Sequence, residues 1–346
     1  MLEFLYEYGL FLAKAVTLVV ALVFVISMIA AVSMRRGRTQ DEHIDVENIN
    51  EKFEDLEETL KAAVLDASAL KADRKAVKRR HKEEERKRRK GEHAHKTRLY
   101  VLGFEGDIQA SAVDDLREEI TAILTLGEPG DEVLVVLEST GGLVHSYGLA
   151  AAQLQRIRDH GLGLTVAVDQ VAASGGYMMA CIANHIIAAP FAVIGSIGVI
   201  AQLPNFHKLL KKHDVDIELH TAGEYKRTLT VFGENTEPAR RKFQEELNET
   251  HLLFKAHVAE HRPALNIEEI ATGEVWYGSR ALDKRLVDEL ITSDDYLLKR
   301  RHSHDIYRVK RVVRKSLQEK LGVQIGVGIE RLINRCWQRL TDKPLP

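Results

Sequence analysis

The chain has 346 residues, 45% of them hydrophobic, and a formal net charge of −2. That exceeds what one small core requires and fits one large domain with appendages, while the near-neutral balance argues for no particular partner. Two cysteines, Cys181 and Cys336, form no disulfide framework and stand in no metal-ligand spacing, so they read as buried or free thiols.

The first predicted element is a membrane anchor. Residues 9–34, GLFLAKAVTLVVALVFVISMIAAVSM, carry one charge, Lys14. The apolar run 15–33 approaches the roughly 20 residues a helix needs to span a bilayer. Lys14 sits near one end, where its stem can carry the ammonium to the interface, and Tyr6 and Tyr8 stand at interfacial positions. A cleaved signal peptide is the alternative. The length of the apolar run and the lack of a basic start or a small-residue cleavage site favour a retained anchor. Arg35, Arg36 and Arg38 after the run favour a cytoplasmic C-terminal part, but long translocated domains escape that rule, so the side stays open.

Acidic residues dominate 41–70, and Ile49, Phe53, Leu56, Leu60, Ala63, Ala67 and Leu70 follow a 4-3-4-3-4-3 spacing. This is a short heptad seam, read as a helical stalk that pairs with copies of itself or lies on its own domain. In 71–98 basic residues outnumber acidic ones by nine. Without interleaved aromatics to stack bases, and tethered to an apolar anchor, the linker reads as solvated or facing anionic lipid rather than nucleic acid. Stalk and linker together occupy 35–97.

From residue 98 the pattern becomes globular. Strands are predicted at 99–104, 132–137, 164–168 and 185–188, with helices at 114–126, 145–158 and 177–183. Alternating strands and helices argue for an α/β fold with a mostly parallel sheet, whose sites form in the loops at the carboxyl ends of strands. Two such loops stand out: Ser139-Thr140-Gly141-Gly142, and the stretch 171–177 containing Ser174-Gly175-Gly176. Ser174 stands where a helix begins, beside a glycine that allows close approach of a substrate carbonyl. The plain alternative for Ser174 is a helix N-cap. A serine nucleophile needs a base. Lys226 qualifies only if its environment favours the neutral amine, and otherwise it is a surface residue. His145, three residues after Gly142, is the competing base.

Three ordered motifs change the balance: Ser174-Gly175-Gly176-Tyr177, then Gly195-Ser196-Ile197-Gly198-Val199, then Gly223-Glu224-Tyr225-Lys226. Together they resemble the signal peptide peptidase A family over about residues 98–298. The anchor, the charged stalk and the run 204–230 look like a bacterial inner-membrane member of it. The resemblance implies a ClpP/crotonase-like α/β domain at 98–298, followed by a basic tail at 299–346. The tail itself is read from its charge; the resemblance further implies Ser174 as nucleophile, Lys226 as general base, Ser196 as the hydroxyl that orients the lysine, and the N–H groups of Gly142 and Gly175 as an oxyanion hole. The stretch 273–278 with Leu286-Val287-Asp288 is similar to the family's closing motif and reads as structural. There are two departures: Thr140 stands where proline usually precedes the glycines, and Arg285 where glycine often precedes Leu286.

The implied reaction is amide hydrolysis through an acyl-enzyme, with no metal or organic cofactor, on signal-peptide-like or unfolded peptides at the bacterial inner membrane. The family's ring-like oligomers imply self-association. The basic tail, with Arg331, Arg335 and Arg339 at fourfold spacing, reads as lying on a membrane or a neighbour. The rival readings are an acyl-CoA enzyme of the crotonase type and a non-catalytic membrane scaffold.

Overall fold

The computed structural model describes residues 6–14, 16–18, 42–89 and 96–313. Residues 44–311 form one compact unit. Most of the expected anchor, together with Cys336, Arg331, Arg335 and Arg339, lies outside the described residues. Residues 6–14 and 16–18 are helical, and no helix among the described residues is long and apolar enough to cross a membrane.

The fold is mixed α/β around a large sheet. Its main path runs β1 (Glu42–Asn48), β10 (His304–Val313), β2 (Thr97–Gly106), β3 (Glu132–Ser139), β4 (Gly163–Val168), β6 (His185–Ala188) and β9 (Glu289–Leu290). From β10 to β9 every pairing on this path is parallel. Strand alternation sends successive side chains to opposite faces. Tyr100, Leu102, Val133, Val135, Leu164 and Val166 thus enter one core, and Leu99, Val101, Leu134 and Ala167 the other. Strands buried on both faces read as continuous apolar runs such as EVLVVL.

Helices α3 (Val113–Leu124) and α4 (Val144–Asp159) cover the first face with Leu116, Ile120 and Ile123, and with Tyr147, Ala150, Leu154 and Ile157. Ile49, at the start of α1 (Ile49–Val64), joins Tyr296 and Leu297 of α10 (Ser293–Arg300) on the second.

The sheet extends beyond the expected 98–298 segment. Strand β10 pairs with β2 from His304↔Thr97 to Arg308↔Val101, although its sequence reads as a basic tail. Its cations are matched locally: Arg308 meets Glu47 at 3.1 Å and Arg311 meets Asp115 at 2.6 Å. The expected stalk also differs from one continuous helix. Leu65 turns extended, and Asp66 Oδ1 accepts the N–H groups of Ser68 and Ala69, which starts α2 (Ala67–Arg89). Ion pairs Lys61–Asp73 and Arg74–Glu58, both at 3.0 Å, fold α2 back along α1. Asn50 fastens α1 to the domain, donating to the carbonyls of Arg301 and His304 and accepting the Ile306 N–H.

Arg285 has a φ of 61°. That left-handed conformation accounts for glycine often standing there in the family, and arginine adopts it at some cost in strain.

Candidate active site

Three parallel strands deliver the site. The last residue of β3, Ser139, pairs with Ala172 of β5 (Val171–Ala173), and Ala173 pairs with Gly195 of β7 (Val193–Gly195). The turns that leave them, 139–142, Ser174 and Ser196, therefore stand in neighbouring positions at carboxyl ends. Strand β8 (Val275–Tyr277), from the closing motif, pairs antiparallel with β7 and backs the third turn.

Ser174 connects β5 to α5 (Gly175–Ala180) with φ 52° and ψ −117°. A non-glycine residue in so sparsely populated a region costs on the order of 1–3 kcal/mol, and the surrounding structure must hold it there. Its N–H donates to the Gly195 carbonyl at 2.8 Å, and its own carbonyl accepts from Met178 N–H at 2.9 Å. The side chain makes no capping hydrogen bond, so the N-cap reading does not describe this serine. A serine on a strained strand-to-helix turn presents its hydroxyl clear of both elements, and Ser174 is half-buried.

The glycines are dictated by contact. At Gly141, φ is +88° and a Cβ would lie 2.6 Å from Gly175 N and 2.7 Å from Ser174 Cβ. At Gly142 it would meet the Ile108 carbonyl oxygen at 2.1 Å, and at Gly175 the Tyr147 ring at 2.4 Å. The first glycine loop is thus pressed directly against the Ser174 turn. Thr140, in place of proline, leaves that arrangement intact.

Ser196 shares the positive φ of Ser174, at 50°, and its N–H donates to the Glu274 carbonyl at 2.7 Å. Ser174, Ser196, Gly142 and Gly175 are therefore brought to one place. Lys226 is not joined to them by any hydrogen bond or ion pair among the described residues. It is exposed within the segment 199–236, with its N–H on the Gly223 carbonyl at 3.2 Å. That segment contains one short helix, α6 (His207–Lys212), and exposes many apolar side chains; Ile200 is 89% exposed. It is pinned internally by Asn205, which donates to the carbonyls of Thr230 and Gly233, and by the stacked rings of Phe206 and Phe232. His145, the competing base, is exposed in the first turn of α4.

A groove of about 680 Å³ opens one helical turn from Ser174, lined by Val144, Gly148, Met178, Leu253 and Phe254. His257 and His261 also line it, and with the buried Cys181 they bring ligand atoms within 4.8 Å of one another. Internal bonds occupy these groups: His257 Nε2 meets the Met178 carbonyl at 3.0 Å, and His261 uses both nitrogens, on the His257 carbonyl and Gln155 Oε1. Burial pushes the Cys181 thiol up and the His257 imidazole down, which keeps both neutral.

Comparison with known proteins decides the family. The model described as "Peptidase family S49 N-terminal" matches residues 3–154, and that of "Peptidase family S49" matches residues 156–306. A Haemophilus influenzae protein named "Probable protease SohB" is 47% identical over 96% of each chain. The chain belongs to peptidase family S49. A second relative of the same name, from Buchnera aphidicola subsp. Schlechtendalia chinensis, is 47% identical over 86% of this chain and 100% of its own. A solved membrane-bound stomatin-specific protease aligns with 67% of this chain and 99% of its own, at 15% identity and a TM-score of 0.42. As a member of S49, the protein is a serine-type peptidase, a hydrolase.

Sequence reading gave no role to Tyr147, and none to the Ser139 side chain, which bond to each other beside this candidate site. A signal was present, because Tyr147 lies on the apolar face of α4 with Ala150, Leu154 and Ile157, and a buried tyrosine needs a partner for its hydroxyl. The Gly141 contacts predict that Gly141→Ala displaces the Ser174 turn. Labelling by a fluorophosphonate is expected to slow by about 10²-fold, the penalty of a displacement on the order of 1 Å. Unchanged labelling would show that the turn tolerates a methyl there.

Proposed function

We propose that this S49 peptidase hydrolyses internal peptide bonds through a Ser174–Lys226 dyad and an acyl-enzyme. The observation that carries this reading is Ser174 itself, an uncapped serine held at φ 52° against a glycine loop. Neutral Lys226 takes the Ser174 proton as Oγ bonds to the scissile carbonyl carbon. The N–H groups of Gly142 and Gly175 hold the resulting oxyanion. Collapse breaks the C–N bond, and the ammonium of Lys226 returns the proton to the leaving amine. Water then attacks the ester with Lys226 as base, releasing the acid and restoring Ser174. Ser196, beside Ser174, orients the lysine.

In this reading the domain has the ClpP/crotonase-like form, and residues 9–34 anchor it in the bacterial inner membrane. The exposed apolar side chains of 199–236 support assembly of several copies, since exposed apolar surface of this kind marks interfaces. Packing of that segment on assembly brings Lys226 to Ser174. The apolar groove beside Met178 suits the apolar side chains of signal-peptide-like substrates.

The test is covalent. Purified protein should be labelled by a fluorophosphonate at Ser174, identified by peptide mapping, and should cleave a fluorogenic apolar peptide. Labelling and cleavage should both disappear in Ser174→Ala. Folded, oligomeric wild type that neither labels nor cleaves would favour the scaffold reading, and thioester turnover with acyl-CoA in its place the crotonase reading.

A further inference from the structure

Tyr147 is fully buried, packs its ring against Gly175 and reaches the loop that carries Gly142 through Ser139. Its ring lies where a Cβ on Gly175 would stand, with Cγ at 2.4 Å from that position. Its hydroxyl donates to the Asp107 carbonyl at 2.8 Å and lies 2.5 Å from Ser139 Oγ. Ser139 Oγ in turn accepts the Gly141 N–H at 3.0 Å.

Counting protons fixes the direction of this chain. A phenol has one hydrogen, and here it goes to Asp107. The Ser139 hydroxyl must therefore donate to the Tyr147 oxygen while accepting from Gly141. The result is one uninterrupted run: Gly141 N–H to Ser139 O–H, to Tyr147 O–H, to the Asp107 carbonyl. Hydrogen bonds aligned in this way polarise and strengthen one another. Burial, with the Asp107 charge adding to it, holds the phenol above its ordinary range against the opposing Ser139 bond, so the run stays protonated at neutral and mildly basic pH.

Loop 107–110 closes the arrangement from the far side. Leu143 N–H donates to the Ile108 carbonyl at 2.8 Å, against which Gly142 is packed. No space remains between these parts: a Cβ on Gly106 would stand 2.5 Å from the Tyr147 hydroxyl.

We infer that Tyr147, acting with Ser139, is a positioning residue for the oxyanion hole. The ring sets the height of the Gly175 N–H, and the hydroxyl sets the loop that carries the Gly142 N–H. One rigid side chain thereby fixes the separation of two donors that follow different strands. Its hydroxyl is engaged by Ser139 and Asp107, so in this role it acts in the transition state only through the glycines. This inference rests on the assignment of Ser174, Gly142 and Gly175 given above.

The experiment compares wild type with Tyr147→Phe and Ser139→Ala, with active sites counted by fluorophosphonate titration. Tyr147→Phe keeps the ring under Gly175 and deletes the hydroxyl. Per titrated site, kcat is expected to fall by about tenfold to a hundredfold, the scale of a small misplacement of catalytic groups. KM should change less than twofold, because the donors strengthen as charge develops. Ser139→Ala should fall by a similar factor, and the double variant by little more than either, as members of one chain are not additive. A merely structural role would lower the titratable fraction and the melting temperature but leave kcat per site alone. Wild-type kcat per site in both single variants, or fully additive losses, overturns the inference while leaving Ser174 as nucleophile. A wild type that cannot be titrated overturns the Ser174 assignment and this inference with it.

Discussion

Replacing Lys226 with Ala is expected to lower kcat on a peptide substrate by about 10⁴- to 10⁶-fold, the range seen when one member of a catalytic unit is removed. A neutral serine hydroxyl is a weak nucleophile without a base to accept its proton. The variant should fold as wild type does, since Ser174 is held by backbone bonds to Gly195 and Met178 and shares no hydrogen bond with Lys226 among the described residues. KM should change little. Ser174→Ala and the double variant should match it, because a nucleophile and its base fail together.

Mixing the two single variants then locates the lysine. Recovered activity assigns Lys226 to a neighbouring copy of the chain, and its absence assigns both groups to one chain. Activity of Lys226→Ala within tenfold of wild type would remove the lysine from the mechanism and bring His145 forward.

How much of this was legible in the sequence follows from the range of the forces involved. The run 132–137 and the apolar faces of α3 and α4 were readable because burial imposes a period on them. The glycine loops were readable because only glycine fits where a Cβ would strike backbone, as at Gly142 against Ile108. Strands β5 and β7 were not, because each has three residues and draws its definition from neighbours rather than from its own pattern. Nor was the strain at Ser174, since serine is ordinary before a helix and its φ of 52° is set by bonds to Gly195 and Met178. Strand β10 was hidden by its charge: arginines that suggest a solvated tail are matched by Glu47 and Asp115, far away in sequence. The placement of Lys226 depends on a segment with little regular structure, for which local pattern gives no position.

The second large effect is on stability. Arg262 is 11% exposed in its side chain and grips Asp288 through two bonds, of 2.6 and 2.8 Å. Its guanidinium also donates to the Arg285 carbonyl, and Asp288 accepts the Ile186 N–H at 2.7 Å. This pair closes the chain under α5, where the Tyr177 hydroxyl donates to the Leu286 carbonyl. Removing the carboxylate in Asp288→Ala leaves a largely buried guanidinium without its counter-ion, which costs about 3–5 kcal/mol. Arg262→Met with Asp288→Leu should recover part of that loss, because desolvating two charges offsets most of their attraction.

The pair also has a pH signature. Burial raises the Asp288 carboxyl, but the Arg262 bond, the Ile186 N–H and the nearby positive charge outweigh it, leaving the group below its ordinary range. A carboxyl depressed on folding contributes stability that is full above its unfolded value of about 3.9 and is lost as pH falls through its folded value. Wild type should therefore lose the margin it holds over Asp288→Ala as melting is followed from pH 7 down below pH 4. A constant margin across that range would mean that the carboxylate's charge contributes nothing to holding this corner.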